Sequence, residues 1–458
     1  MERVNDKTYR STPIYAVLAM LTACGTTSAN DGNGDDGSGG LSVGSATAEG
    51  GGVSTTAGGE GSVSAAGDTT RGPDSAAEGD DGDESGPPPI KFDHGELPDV
   101  PAGGTCAMGG GKKGELLYSY IWIANSSQNT VSKINTQTLE EEGRYYTRPD
   151  LNGSPSRTSV NLNGDVAVAN RSGGLTKFTA NVEDCIDANS NGAVETSTGA
   201  ADILPFDDEE CRAWHIPFSY SSQRPVAWTS GEWNPATCKY ENEKIWSTGV
   251  LNDVIEVILV DGDTGIIEDS VQIPEVPANF YGFYGGAVDA EGNFWASQLG
   301  GGQLIRVNFN DLSDYDLWPA NFGGYGMTVG QSGYVFTCSS QVGRFDPATE
   351  TWTGATVGGG GGCMEDANGI LWMANNPMVG IDVETLAVVH SYPLPQYVHG
   401  VSVDFDGSIW GVDMTSSAYK VDPLTGDFET FTGLVGPYTY SDMTGFALFT
   451  VGGGVPSG

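Results

Sequence analysis

Between about residues 118 and 449 short apolar runs alternate with turns rich in Asx and Gly, and the unit returns at a nearly constant distance. Asp289-Ala-Glu-Gly292-Asn-Phe-Trp295 precedes Arg306-Val-Asn308, and Gly333-Tyr-Val-Phe336 precedes Arg344-Phe-Asp346. Asp366-Ala-Asn-Gly369-Ile-Leu-Trp372 precedes Gly380-Ile-Asp382, and Asp404-Phe-Asp-Gly407-Ser-Ile-Trp410 precedes Lys420-Val-Asp422. The aromatic anchors 295, 336, 372 and 410 stand 41, 36 and 38 residues apart, the length of a four-stranded propeller blade. A first strand ends at an Asx-and-Gly hairpin, and a second strand carries the large aromatic. A third strand bears the basic-apolar-Asx signature, and a fourth follows. The aromatic wedges between neighbouring sheets and fills much of the core.

The pattern extends backwards. Asn163-Gly164-Asp-Val-Ala167 precedes Lys177-Phe178, Lys244-Ile-Trp246 precedes Val254–Val260, and Tyr120-Ile-Trp122-Ile-Ala124 precedes Lys133-Ile-Asn135. Anchors at 122, 167, 246, 295, 336, 372 and 410 predict an all-β, seven-bladed β-propeller, with an insertion over about 183–240. Blade one lacks a first strand directly before Tyr120. The last apolar stretch, Thr444–Phe449, is expected to supply it, a C-terminal strand closing the first blade and removing free sheet edges.

The repeat Asp-x-x-Gly-x-aliphatic-Trp followed by basic-apolar-Asx resembles the streptogramin (virginiamycin B) lyase family and, more broadly, NHL-type propellers. The resemblance covers about residues 118–449 and implies the propeller fold. It also implies a lyase that opens a cyclic depsipeptide by elimination, using Mg²⁺ and a His-plus-carboxylate set on one face. That set does not carry over. Of four His, His94 lies ahead of the repeats, His215 in the expected insertion and His390 on a late strand of its blade; only His399 occupies an inner position.

The region before the repeats reads differently. Arg3, Lys7 and Arg10 precede a short apolar run at 14–21, the layout of a secretory signal, and Leu21-Thr22-Ala23-Cys24 resembles the bacterial lipobox, which implies a lipoprotein signal over residues 1–24 with Cys24 acylated. Gly25 after the Cys favours the outer membrane, which makes the membrane, reached through the lipid, the first expected partner. Residues 25–100 are Gly, Ser, Thr, Ala and acids with a single aromatic, Phe92, and are expected to be a tether to a folded body at 101–458. Export agrees with the cysteines. Beyond Cys24 six remain, an even set expected to form disulfides: Cys185–Cys211 first, then Cys338–Cys363 and Cys106–Cys238.

The chain's formal charge is −40, and residues 101–458 carry −28 of it, from fifteen basic and forty-three acidic residues. Nucleic acid is therefore excluded as a main partner. Against this acidic background, one position per blade at the start of the first strand draws attention. Counting eleven residues back from the anchors gives Tyr284, Tyr325, Gly361 and His399 in blades four to seven, and looser alignment gives Thr444, Arg157 and Arg224 in blades one to three. That position opens on the channel mouth, the usual ligand site of a propeller. Arg157, Arg224, Tyr284, Tyr325 and His399 are the expected ligand-binding set for a small polar or anionic ligand. The plainer reading is that the arginines satisfy carbonyls and acids lining the channel.

Asp187-Ala-Asn189-Ser-Asn191-Gly192-Ala-Val-Glu195 follows the first nine positions of an EF-hand-like loop, making Asp187, Asn189, Asn191 and Glu195 candidates for a structural Ca²⁺. Position twelve is Thr198, and an Asx-rich turn stapled by a disulfide is the alternative. The expected function is a monomeric, lipid-anchored ligand-binding or scaffold protein of the cell envelope. The alternatives are a metal-dependent lyase with His399 as base, and a surface protein whose channel is filled by Tyr284 and Tyr325.

Overall fold

The computed structural model describes residues 119–453, except 235, 238 and 441. Cys24, the expected signal and tether, Cys106 and Cys238 lie outside the described residues. Seven antiparallel sheets follow one another along the chain, six of four strands and one of three. The first strands Pro155–Val160, Ser222–Trp228, Phe283–Val288, Gly326–Val329, Cys363–Glu365 and Val398–Val403 each pack beside the next. This is a seven-bladed β-propeller. All seven anchor positions fall on the second strand of their blade, and Trp122, Trp246, Trp295, Trp372 and Trp410 are buried.

The Asp-x-x-Gly-x-x-Trp repeat has a local cause. In blade four Asp289 Oδ1 accepts the backbone N–H of Glu291 and Asn293 at 3.1 and 2.9 Å, which shapes the turn. Its Oδ2 accepts the indole N–H of Trp295 at 2.8 Å, so one carboxylate fixes both the hairpin and the anchor. Asp366 with Trp372 and Asp404 with Trp410 repeat the contact, each at 2.8 Å. Gly292 takes the left-handed conformation at φ 80° that the turn requires. Blade five breaks the rule at both ends together. Gly330 replaces the Asp and Phe336 the Trp, so the anchor there carries no indole N–H that needs the carboxylate. Blades one and three use another acceptor: Trp122 and Trp246 donate to Gly164 O and Gly292 O, in the first hairpin of the following blade. Lys133, Arg344 and Lys420, from the basic-apolar-Asx signature, likewise donate to carbonyls of the next blade at 2.7–3.0 Å.

Ring closure comes from the C-terminus, as expected, but from other residues. Trp122 N–H donates to Met443 O at 2.8 Å, Tyr438 N–H donates to Ala124 O at 3.1 Å, and Asn125 bridges Pro437. The segment 437–443 therefore lies where a first strand of blade one belongs. Thr444–Phe449, expected as that strand, is instead helical from Phe446. Asp442 turns it: its carboxylate accepts the N–H groups of Thr444, Gly445 and Leu448 at 3.3, 2.8 and 3.2 Å. Gly445 adds a left-handed φ of 85° against Val160 O and Asn161 O, where a Cβ would sit 3.1 Å from each oxygen.

The expected insertion at 183–240 contains two blade strands, Arg212–Ile216 and Ser222–Trp228. The chain leaves the blade pattern twice, once around 179–211 and once as a small hairpin, Glu232–Asn234 with Lys239–Glu241. Cys185–Cys211 closes the first excursion, and Cys338–Cys363 joins blades five and six.

Candidate functional site

The first strands begin at one end of the channel, the mouth, and run down to the Asx-Gly hairpins at the other. Several are bulged near the mouth, with register shifts across Pro155/Arg157, Phe283/Gly285 and Val398/Gly400. In blade three Gln223 pairs with Gly249 and Val226 with Ser247, leaving Arg224 and Pro225 opposite one residue. Bulges re-aim side chains. Here the extra residues include Arg224, Tyr284 and His399, and Arg157 borders the fourth bulge. Gly361, at the same level in blade six, serves spacing: a Cβ there would lie 2.2 Å from His399 O.

The five expected ligand residues come together. Tyr284 Oη accepts from Arg224 Nη1 at 3.3 Å and donates to Tyr325 Oη at 3.2 Å, and the Tyr325 and His399 rings meet edge to face at 4.8 Å. Arg157, 1 % exposed, donates from Nη2 to Tyr284 O at 2.6 Å. Thr444, expected as the blade-one member, is absent from this set; its hydroxyl meets Ser402 Oγ at 3.2 Å near the opposite end. Blade one is represented by Tyr438 and Tyr440 of the closing segment. The guanidinium of Arg157 lies over the Tyr440 ring, and Tyr438 Oη meets Tyr284 Oη at 3.0 Å. Arg171, from a hairpin between second and third strands, stacks on Tyr438 at 4.0 Å.

Tyr438, Tyr440 and Arg171 were not among the expected residues. Counting back from the anchors never reaches the closing segment or that hairpin. The available signal was Tyr-Thr-Tyr at 438–440, two aromatics on one face of an extended chain.

The electrostatics are one-sided. Neither Arg157 nor Arg224 forms an ion pair among the described residues, and Arg157 Nη1 and Arg224 Nε find no hydrogen-bond partner there. Burial, with Arg224 and Arg171 nearby, pushes the Arg157 guanidinium well below its ordinary value. Burial and the same neighbouring charges, Arg157 and Arg171, push His399 down to about 3. At neutral pH it is an uncharged imidazole, far from the poise of a general base. Its Nδ1 meets Tyr397 Oη at 3.0 Å rather than a carboxylate. The Mg²⁺ that the lyase resemblance implies calls for oxygen ligands, chiefly carboxylates. The guanidinium groups, phenols and single imidazole gathered at this mouth do not fit it.

Of the other histidines, His215 sits on the fourth strand of blade two, not in an excursion, with Nδ1 2.9 Å from Thr176 Oγ1. His390 stacks on Trp372 at 5.4 Å.

The Asx-rich loop is closed on itself. Asp187 accepts the N–H groups of Asn191 and Gly192 at 3.1 and 2.9 Å, and Glu195 accepts the side-chain amides of Asn189 and Asn191 at 2.6 and 2.7 Å. Buried Glu210 holds it from beneath through the N–H groups of Ala188, Asn189 and Glu195. Among the described residues no three His, Cys, Asp or Glu side chains gather as a metal centre.

No family model and no curated protein matches the chain. Among solved structures it is similar to a streptogramin B lyase, with 15% identity, 64% of this chain and 86% of that one covered, and a TM-score of 0.45. Virginiamycin B lyase from Staphylococcus aureus is similar at 14% identity, covering 61% and 84%, TM-score 0.42. A functionally unknown protein from Desulfotomaculum acetoxidans is similar at 10% identity, covering 70% and 97%, TM-score 0.48. Each likeness concerns the fold alone.

Proposed function

We propose that this propeller is a ligand-binding protein of the cell envelope, held there by a lipid on Cys24, and that it takes a small anion at the channel mouth. One observation carries the reading: a fully buried Arg157 with Arg224 beside it, neither paired with a carboxylate among the described residues, in a body whose net charge is −28. An uncompensated buried cation is strongly unfavourable. Forty-three acids were available to neutralise it. The plainer reading accounts for half of the guanidinium, since Nη2 serves the Tyr284 carbonyl. It leaves Nη1 unexplained. An oxyanion received by Arg157 and Arg224, with tyrosine hydroxyls around it, would satisfy the outstanding donors through charge-assisted bonds.

The test is calorimetric titration of the full chain with acetate and with phosphate, beside Arg224→Met and Arg157→Met. Binding that each substitution weakens at least tenfold is expected. No binding of either anion, or equal binding by the variants, overturns the reading.

A further inference from the structure

The mouth holds an acceptor as well as donors. Tyr397 Oη has one proton, and it lies 2.9 Å from Gly360 O and 3.0 Å from His399 Nδ1. A carbonyl only accepts, so the phenol proton goes to Gly360 and the second contact requires His399 to donate from Nδ1. The neutral ring then carries its lone pair on Nε2. That atom is buried, in a residue 6 % exposed, and finds no hydrogen-bond partner among the described residues. A buried acceptor left without a donor forfeits its hydration with nothing in return, so a donor is wanted here as surely as an anion is wanted by Arg157. The two demands lie close together: the Arg157 guanidinium covers one ring, Tyr440, whose centroid is 5.5 Å from that of His399.

Around them stand half-buried aromatic rings. Tyr325 meets His399 at 4.8 Å, and Tyr438 also lies 4.8 Å from it. Flat tyrosine surfaces that end in hydroxyls suit a partner with one apolar face and several hydroxyl groups.

We infer that the ligand is a hydroxylated carboxylate of the sugar-acid class, its carboxylate on Arg157 and Arg224 and a hydroxyl donating to His399 Nε2. This rests on the anion reading and narrows it. An anion without a hydroxyl leaves His399 unsatisfied, and a neutral sugar leaves the arginines so.

The probes are glucuronate, acetate and methyl glucoside, each titrated into the full chain by calorimetry. Glucuronate is expected to bind at least tenfold more tightly than acetate, with no binding of methyl glucoside. His399→Phe is expected to bring the glucuronate-to-acetate ratio towards one, and Tyr397→Phe, which frees the tautomer, to lower it partway. A melting curve for each variant establishes that it folds. Equal affinity for acetate and glucuronate in the parent overturns the sugar-acid inference and leaves the anion reading standing. An unchanged ratio in a folded His399→Phe protein overturns the role of Nε2. Methyl glucoside binding as tightly as glucuronate overturns both readings, as does no binding by any probe.

Discussion

The two ends of the channel are built from the same strands and solved in opposite ways. At the hairpin end Asp442 accepts three backbone N–H groups and Asp404 caps its own turn and the Trp410 indole, and the buried carboxylates that keep an open oxygen among the described residues, Glu243 and Glu365, are pushed by burial towards the neutral acid. At the mouth, Arg157, Arg224, His399, Thr439 and Tyr440 each leave a buried polar atom without a partner among the described residues. A single first strand, Val398–Val403, thus runs from His399 with its open Nε2 to the fully bonded Asp404 just beyond its end. Strain and unsatisfied groups gather where a protein meets something else. This difference in sign, open cations at one end and neutralised acids at the other, is what supports the proposed ligand site at the mouth.

The contrast can be broken experimentally, and the hairpin end should break hardest. Asp442→Ala strands three N–H groups in the channel and is expected to lose about 3 kcal/mol in urea unfolding at pH 7. A loss under 1 kcal/mol would mean that the helical turn stands without its cap.

Protonation should act with opposite sign at the two ends. His399 falls from its ordinary 6.5 to about 3, so below pH 6.5 the unfolded chain takes a proton that the folded one refuses. Its share of stability is whole above 6.5 and is lost as pH falls towards 3, amounting to about 2 kcal/mol by pH 5. His399→Phe should remove that loss. Asp442 rises from 3.8 to about 6 through burial, so its contribution is whole below 3.8 and is lost as pH rises through 6. Asp442→Asn should remove that slope. Unfolding free energies at several pH values, variant against parent, check both signs.

Arg157→Met sharpens the comparison further. Removing an uncompensated buried charge is expected to raise stability by about 1 kcal/mol while anion binding is lost. A protein that holds Arg157 only for the Tyr284 carbonyl would be destabilised instead. The smallest effect is expected from calcium. At millimolar concentration it should raise stability by about 1 kcal/mol through the Asp187 loop, and Asp187→Asn should abolish the shift. Unchanged melting would leave that loop an Asx turn held by Glu210.

The blades were legible because each is written by a short local code. Asp289, Gly292 and Trp295 need one another within seven residues, and the same dependency recurs in the chain. The mouth was partly legible for the same reason: Tyr284 and His399 keep a fixed distance from their anchors. The closing strand was not. The closing stretch carries Pro437, Thr439 and Asp442 and lacks the apolar look, whereas 444–449 has it and spends it on a helical turn shaped by Asp442. Bulges escaped for a related reason. A single extra residue changes direction without changing composition; Arg157 stands one residue past its bulge, and the hairpin of Glu232–Asn234 with Lys239–Glu241 separates Arg224 from its anchor, so both aligned only loosely.

The closing segment joins Met443 to Trp122, more than three hundred residues apart, and the same few residues bring Tyr438 and Tyr440 to the mouth. During synthesis six blades can be finished before the proposed ligand site exists. Contacts so distant in sequence form late and slowly. Ligand capture at the mouth, as proposed, would therefore be a certificate of completion: a chain without Tyr438 and Tyr440 in place would be blind.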